Sequence, residues 1–333
     1  MNVKNLFKRT ETYILIALLL FCFLVQACSG QFFTGNNLVD DARALTILAM
    51  FALGEMIVMV SGGIDVSFPA IAALSMYLVS TKMYDFHGNI IIFFLAGALL
   101  GFIMGALNGF LIGRFHFIPL IVTLGTSSLY TGIMQGVFAS HESVLPQTML
   151  DFGNAKLFSV YNPKSKLNSN MPVSFLFLLA LIVLVWFLLR HTKLGRGIYA
   201  IGGDMNSARR AGFNVFHIQM FIYCFCGALA GFVGVTRACM MLDCDPTNMV
   251  GMDMTCIAAC VLGGISLSGG SGTITGTLIG VTFLSIMSNS LILIGVSTYW
   301  EKVFTGLIII IGTGISAYQV TRKNSKTVSN ALN

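Results

Sequence analysis

Long apolar runs alternate with short polar or glycine-rich segments along almost the whole chain. Because the hydrocarbon core of a bilayer requires about 20 apolar residues per helix, the pattern predicts an all-α polytopic membrane protein of about ten transmembrane helices. The predicted spans are 11–28, 43–60, 67–81, 90–112, 118–138, 172–189, 218–238, 253–264, 273–289 and 303–319. We assign them to one transmembrane domain that takes in residues 1–333.

Several of these spans are short and bordered by glycine. Residues 61–67, here called the first break, and residues 262–270, the second break, interrupt otherwise apolar sequence. Broken helices at membrane depth are tolerated only where protein or a watery cavity surrounds them, and transporters place binding sites and gates there. The alternative is that small residues only let helices approach closely.

A weak internal repeat relates two predicted helices. Residues 97–101 with Asn108 resemble residues 276–280 with Asn289, and the two helices run in opposite directions. We therefore predict an inverted repeat of spans two to five against spans seven to ten. It places Asn108 and Asn289 at comparable depths near the pathway. The Gly-Gly-Ile sequences at 62 and 263 do not fit that symmetry and are interpreted as local similarity.

Composition agrees with a membrane location. The chain is 56% hydrophobic and 10% charged, with a mean hydropathy of +0.85, far more apolar than a soluble domain. Its net charge of +6 lies mainly at the N-terminus, in the loop 190–217 and in the C-terminal tail, so it indicates orientation more than nucleic-acid binding. An uncleaved first helix puts both termini and loop 190–217 in the cytoplasm, with the stretch 139–172 outside a bacterial cell membrane.

Motifs for catalysis are absent from the sequence. The glycine-rich segment 263–272 lacks the Lys-Ser or Lys-Thr of a phosphate loop, and there is no HExxH motif or nucleophile elbow. We expect neither an enzyme nor a bound cofactor. The eight cysteines lack zinc-ligand spacing, so no metal site is predicted. A disulfide between Cys239 and Cys244 stays open.

Ionisable residues in the spans are costly and therefore candidates for function. Asp65 precedes a predicted helix start, which favours a capping role over a functional one. For Glu55, contact with water and contact with a neighbouring helix both stay open. The other intramembrane polar groups, Thr123 among them, are mostly neutral. They suit a hydroxyl-rich neutral solute, although serine and threonine also bond to their own helix backbone.

The basic loop 190–217 separates two apolar runs. Asn206 is predicted to cap a short helix that Gly212 ends. A partner protein can bind a short helix outside the bilayer, and Ala208, Ala211 and Phe213 would form the apolar contact face. The alternative is a solvated loop that only sets topology.

Five motifs in order along almost the whole chain resemble the permease subunits of ribose-type ABC sugar importers, in the branched-chain amino acid/ribose permease family. They are GGIDVS at 62–67, PLIVTLG at 119–125, GRGIYAIGG at 195–203, the segment 206–215 and IAACVLGG at 257–264. Phe68-Pro69, Asp253 and Thr255 depart from the family pattern and leave the identity of the substrate open.

The resemblance implies a fold, a function and partners. It implies a non-catalytic permease that forms the translocation pathway for a sugar, with an extracytoplasmic sugar-binding protein, a second permease chain (a homodimer or a paired permease) and cytoplasmic ATPase subunits that bind ATP and magnesium. Loop 190–217 then resembles the coupling segment. The candidate coupling residues are Gly195, Arg196, Asn206, Ala208, Arg209, Arg210, Gly212 and Phe213. The candidate pathway or gate residues are Gly62, Gly63, Asp65, Asn108, Thr123, Gly263, Gly264 and Asn289. The alternatives are a stand-alone secondary carrier or channel, and a structural scaffold.

Overall fold

The computed structural model describes residues 10–138, 142–162, 167–249 and 251–295, with the single positions 297, 300, 303, 306, 307 and 310. Its helices are α1 (Thr10–Ser29), α2 (Gly35–Val60), α3 (Phe68–Lys82), α4 (Ile90–Phe115), α5 (Pro119–Gly136), α6 (Gln147–Asn154), α7 (Phe175–His191), α8 (Lys193–Gly203), α9 (Met205–Arg210), α10 (Val215–Met241), α11 (Met252–Leu262) and α12 (Ile274–Leu293). Strands β1 (Lys156–Asn162) and β2 (Leu167–Pro172) form an antiparallel hairpin, and a 3-10 helix covers Pro246–Met249.

The predicted spans coincide with helices wherever the structure describes them, but their number is not confirmed. Five helices in the described ranges are long and apolar enough to cross a membrane, namely 11–29, 35–60, 90–115, 215–241 and 274–291. Helices α7 and α8, bent by 73°, pass the test only as a pair. Helices α3 and α11 have 15 and 11 residues, about 22 and 16 Å at 1.5 Å per residue, short of the ~30 Å core. The tenth span, 303–319, lies largely outside the described residues.

The stretch 139–172 contains the one departure from an all-α fold that the structure describes. It forms α6 and the hairpin, which sequence analysis did not predict. An isolated two-stranded hairpin is marginally stable in water, and this one is tied to the start of α2. The Asn36 side chain donates to the carbonyl of Val160 at 2.7 Å, and Ser169 donates to the Asp40 carboxylate at 2.9 Å.

Helices α4 and α10 pack backbone to backbone. A Cβ added at Gly101 would overlap the carbonyl oxygen of Gly227, and one added at Gly105 would overlap that of Tyr223. Small residues at membrane helix contacts allow such close approach. The other face of α4 is apolar and open, with Leu95 and Leu99 64% and 60% exposed, as a lipid-facing surface requires.

The packing supports the inverted repeat but not the glycine match that suggested it. Helix α4 packs along α10 while α12 packs along α2, and α3 packs on α10 while α11 packs on α2. A repeat of spans two to five against seven to ten relates α2 to α10, α3 to α11 and α4 to α12. It therefore converts the first contact of each pair into the second. The matched glycines, however, meet partners that do not correspond: Gly101 meets α10, whereas Gly280 meets Ala259 of α11.

The bundle has two ends, and α2 reaches both. We call the end with β1, β2 and the start of α2 the hairpin end, and the end with the two breaks, α8 and α9 the break end. Asn108 bonds to Ser67 at the break end, whereas Asn289 bonds to Asp41 near the hairpin end. The two asparagines thus lie toward opposite ends of the bundle, as an axis in the membrane plane requires of equivalent positions, and their comparable depth stays a prediction.

Candidate functional site

Three helices at the break end, α2, α9 and α11, each end in a turn of the same type. The N–H of Gly62 donates to the carbonyl of Met59 and that of Gly63 to Val58. The same pair of bonds runs from Gly264 and Ile265 at the end of α11, and from Gly212 and Phe213 at the end of α9. This is the Schellman pattern, with glycine in the left-handed region, and φ is +87° at Gly62, Gly212 and Gly264.

Gly212 therefore ends its helix as predicted. In the two breaks, Gly62 corresponds to Gly264, so the structural match is displaced by one residue from the Gly-Gly-Ile match in the sequence. The residues that follow the left-handed glycine differ in bulk, Gly63 in one break and Ile265 in the other. Gly63 allows close approach, because a Cβ there would lie 2.7 Å from the Tyr223 hydroxyl oxygen.

A buried chain of hydrogen bonds fills the first break. Asp65 Oδ1 accepts from the backbone N–H of Ser67 at 2.7 Å and from its hydroxyl at 2.6 Å. Asn108 Nδ2 of α4 donates to that Ser67 hydroxyl at 2.8 Å. Asp65, Ser67 and Asn108 are all buried. The structure therefore joins Asp65 and Asn108, two residues that the sequence placed separately, through a serine that sequence analysis did not single out.

Asp65 is not the N-cap of α3. That position belongs to Ser67, whose side chain makes no cap hydrogen bond. The Asp65 carboxylate instead satisfies the backbone two residues later, which is the local turn that aspartate favours outside helices.

Glu55 and Thr123 bond the same break from two other helices. Glu55 Oε1 of α2 accepts from the N–H of Asp65 at 3.2 Å. Thr123 Oγ1 of α5 accepts from the N–H of Val66 at 3.3 Å and donates to the carbonyl of Ile64 at 3.2 Å. The structure thus shows Glu55 in contact with the first break, where it is 2% exposed. Its second oxygen, Oε2, has no partner among the described residues.

The second break is held differently. The N–H of Ser266 donates to the carbonyl of Ser271, the N–H of Gly269 to the carbonyl of Ser266, and the N–H of Ser268 to the Ser266 hydroxyl. Leu267 at its tip is 41% exposed. Gly263 is buried, and a Cβ there would overlap the carbonyl oxygen of Gly276 on α12. This break is thus supported by its own backbone and by close helix contact.

Helix α8 packs on both breaks. A Cβ at Gly202 would overlap the carbonyl oxygen of Val60 and lie 2.6 Å from the nitrogen of Gly270. The N–H of Gly270 donates to the carbonyl of Val60 at 2.8 Å, and the Tyr199 hydroxyl donates to the carbonyl of Gly272 at 2.9 Å. Sequence analysis noted Gly202 only as part of the motif GRGIYAIGG at 195–203.

The predicted coupling helix exists as α9, with a different cap and a different face. Asp204, not Asn206, is its N-cap, and its Oδ1 accepts from the N–H of Ser207 at 2.6 Å. Hydrogen bonds from the side chain and the N–H of Ser207 hold the pKa of Asp204 below its ordinary value. Asn206 is the second residue of the helix.

The expected apolar contact face of α9 is wrong in one of its three members. Ala208 is buried in the core, whereas Phe213 packs against Gly197 of α8 and stays half-buried. The surface that remains open is polar and basic. Of the residues singled out from the sequence, the exposed ones are Arg196, Asn206, Arg209, Arg210, Ala211 and Gly212. Gly195 has a packing role, because a Cβ there would overlap the carbonyl oxygens at the end of α7.

Asn289 lies apart from this site. Its Nδ2 donates to Asp41 Oδ1 at 2.9 Å, joining α12 to α2 near the hairpin end. Cys239 and Cys244 are both buried and both free, so the disulfide is not formed in this structure. No group of three or more metal-binding side chains occurs within the described part of the chain.

The helices are long and apolar enough for a membrane protein, and comparison with known proteins places the chain in a family. Residues 37–312 match the family described as branched-chain amino acid transport system / permease component, and the chain belongs to it. It is thus a permease, the membrane component of a transport system and not its ATPase.

Individual relatives cover most of the chain. It is 33% identical to the ribose import permease protein RbsC of Escherichia coli (strain K12), over 89% of this chain and 90% of the relative. It is 31% identical to the D-allose transport system permease protein AlsC of the same strain, over 93% and 91%. It is 29% identical to the L-arabinose ABC transporter permease protein AraH of Azospirillum brasilense, over 95% and 89%. No solved structure matches the chain significantly.

Proposed function

We propose that this chain forms the translocation pathway of an ATP-driven ABC importer for a sugar of the pentose or hexose class. The observation that carries the proposal is the contact of α8, the first helix of the basic loop 190–217, with both helix breaks. That arrangement lets an event outside the bilayer move helix ends within it. The names of the ribose, allose and arabinose permeases to which the chain is similar support the substrate class.

The break end faces the cytoplasm in this proposal. Arg114, Arg196, Arg209 and Arg210 are exposed there, and basic residues between spans favour the cytoplasmic side. The hairpin end then faces outward from a bacterial cell membrane, and both chain termini are cytoplasmic.

Partners follow from this orientation. A cytoplasmic ATPase subunit, which binds the ATP and magnesium that this chain does not, contacts Asn206, Arg209 and Arg210 on the open face of α9. An extracytoplasmic sugar-binding protein meets the hairpin end. Each side offers a surface of different character, since β1, β2 and α6 form the outer one and a single six-residue helix the inner one.

A second permease chain completes the pathway. Helix α5 packs on α3 and α4 but leaves Gly125, Ser128, Gly132 and Gln135 exposed. Ser128 bonds only within its own helix, to the carbonyl of Leu124. Lipid offers no partners to polar side chains, so such a face suits a solute pathway or a second chain better than hydrocarbon.

The gate residues act in this proposal by holding the breaks. Asp65, Asn108 and Thr123 are buried, and they support the backbone at which the pathway opens. Gly62, Gly63, Gly263 and Gly264 provide the turns and the close contacts.

Reconstitution tests the function. The chain is placed in proteoliposomes with and without its ATPase and binding protein, and uptake of labelled ribose, arabinose and allose is measured. We expect uptake only with both partners and internal ATP. Uptake that follows an ion gradient without an ATPase would identify a secondary carrier instead, and no uptake under any condition would favour a scaffold. Binding measurements on the partner binding protein then identify the sugar.

A further inference from the structure

We propose that Gly202 is the joint through which α8 and α9 move both helix breaks at once. This inference rests on the proposed function and names the residue contact that transmits the movement. It begins from a junction of three segments that are far apart in sequence. Gly62 of the first break, Gly202 of α8 and Gly269 of the second break meet at one point at the break end.

The contacts at this point are made by backbone atoms. A Cβ added at Gly269 would lie 2.7 Å from Cα of Gly62 and 2.9 Å from the carbonyl oxygen of Gly202. One added at Gly202 would overlap the carbonyl oxygen of Val60, the last residue of α2. No flexible side chain lies between these segments, so a displacement of one is passed to the others without a rotamer change to absorb it.

The second break is also bonded to the end of α2 next to Gly202. The N–H of Gly270 donates to the carbonyl of Val60 at 2.8 Å, which joins the second break to the end of α2. Gly202 contacts both partners of that bond. A displaced α8 therefore acts on α2 and on the α11–α12 connection together, and neither break can respond alone.

Helix α8 is suited to act as a lever on this junction. Its 11 residues span about 16 Å, and the exposed helix α9 follows directly, capped by Asp204. Near the junction, the Tyr199 hydroxyl bonds to the carbonyl of Gly272 at 2.9 Å. Beside the first break, a cavity of about 250 Å³ lined by Met205, Pro119 and Tyr223, among others, leaves room for the break to shift.

The neighbouring glycine supplies a matched control. Gly203 lies on the same helix, and a Cβ there would meet nothing within 4 Å. Gly202→Ala and Gly203→Ala therefore add the same methyl group to the same helix, one into the junction and the other into open space.

The experiment measures ATP hydrolysed per sugar imported in the reconstituted complex, a ratio that does not depend on how much complex assembles. We expect Gly202→Ala to raise this ratio by on the order of tenfold, since displacement of a positioned group by an ångström is costly, and Gly203→Ala to leave it unchanged. Equal ratios in the two variants would overturn the proposal. If the unsubstituted complex shows no ATP-dependent uptake, it is the proposed function that fails.

A gentler variant keeps the test decisive where Gly202→Ala does not fold. Tyr199→Phe removes only the hydroxyl bond to Gly272, and we expect it to raise ATP hydrolysed per sugar about two- to fivefold, as the loss of one hydrogen bond predicts. An unchanged ratio in Tyr199→Phe, with Gly202→Ala unfolded, would also overturn the proposal.

Discussion

The two helix breaks begin with the same type of turn but differ in the hydrogen bonds that hold them. Each ends its helix in a Schellman turn, with Gly62 or Gly264 at a φ of +87°. Beyond that residue they diverge. Side chains from α2, α4 and α5 bond to the first break, and Asp65, Ser67, Asn108 and Thr123 are buried. The second break bonds mainly to itself, and Leu267 and Ser268 are exposed.

The difference indicates that the first break is held internally by more buried hydrogen bonds than the second, so that its own backbone is costlier to deform. A buried donor that loses its acceptor cannot turn to water, so each lost bond costs the full desolvation of the orphaned group. An exposed donor exchanges its partner for water at little cost. Equivalent substitutions in the two breaks should therefore have unequal effects.

The largest effect is expected for Asp65→Ala. It leaves the N–H and the hydroxyl of Ser67 buried without their acceptor, which we expect to lower the free energy of unfolding by about 3 kcal/mol. Denaturation of the purified chain in mild detergent measures it.

Asp245→Ala is the control for this prediction. Asp245 makes the same two bonds, to the N–H and hydroxyl of Thr247, at an exposed site. There the change should be about 0.5 kcal/mol or less. Equal losses in the two variants would show that burial does not distinguish the first break.

Thr123→Val should have the next largest effect. It removes the hydroxyl that bonds to Val66 and Ile64, and we expect a loss of about 2 kcal/mol. Thr126→Val is the control, because that hydroxyl bonds only to carbonyls of its own helix and should cost about 1 kcal/mol or less. Thermal denaturation monitored alongside sugar uptake measures both, and a control as damaging as Thr123→Val would contradict the role of α5 in holding the break.

Gly212→Val extends the comparison to the third Schellman turn, which is exposed. A Cβ at Gly212 meets nothing within 4 Å, so the cost is backbone strain alone, about 1–2 kcal/mol. We expect ATP hydrolysis to become uncoupled from uptake, with membrane insertion and binding-protein docking intact. Arg209→Ala should uncouple only weakly, because exposed charges contribute about 0–1 kcal/mol. ATPase activity and uptake measured side by side provide the test, and normal coupling in Gly212→Val would leave this loop only a topological role.

The smallest effect is expected for Ser266→Ala in the second break. Its hydroxyl accepts from the N–H of Ser268 at an exposed position, as Thr123 does for Val66 at a buried one. Water replaces that acceptor, and the change in stability should stay within about 0.5 kcal/mol. A loss that matches Thr123→Val would remove the distinction between the breaks.

Periodicity and glycine were sufficient to predict the apolar helices of the described residues and the positions of the breaks, because the bilayer requires apolar length and left-handed turns require glycine. They did not predict α6 or α8, which lie in polar stretches. They did not predict which short polar residue caps α9. Asp204 and Asn206 both suit that role, and the choice depends on where the preceding helix α8 ends. The direction in which Ala208 points follows from tertiary packing, which a six-residue helix does not reveal.

The polar network of the first break lay beyond sequence reasoning for another reason. Ser67, Asn108 and Thr123 stand in different apolar runs, and a single neutral polar residue in such a run equally predicts a bond to its own helix. Glu55 carried the stronger signal, a carboxylate inside a span, but not the identity of its partner ten residues later in the chain.

The junction of Gly202 with the two breaks also has a consequence for the evolution of such a protein. The backbone peptide group is the same for every residue type except proline. A contact built from peptide groups therefore does not depend on the chemistry of the surrounding side chains. Mutations that reshape the pathway for a different solute can therefore accumulate around the junction while the transmission of movement persists. Only the few glycines that exclude a Cβ, such as Gly202 and Gly269, lack that freedom.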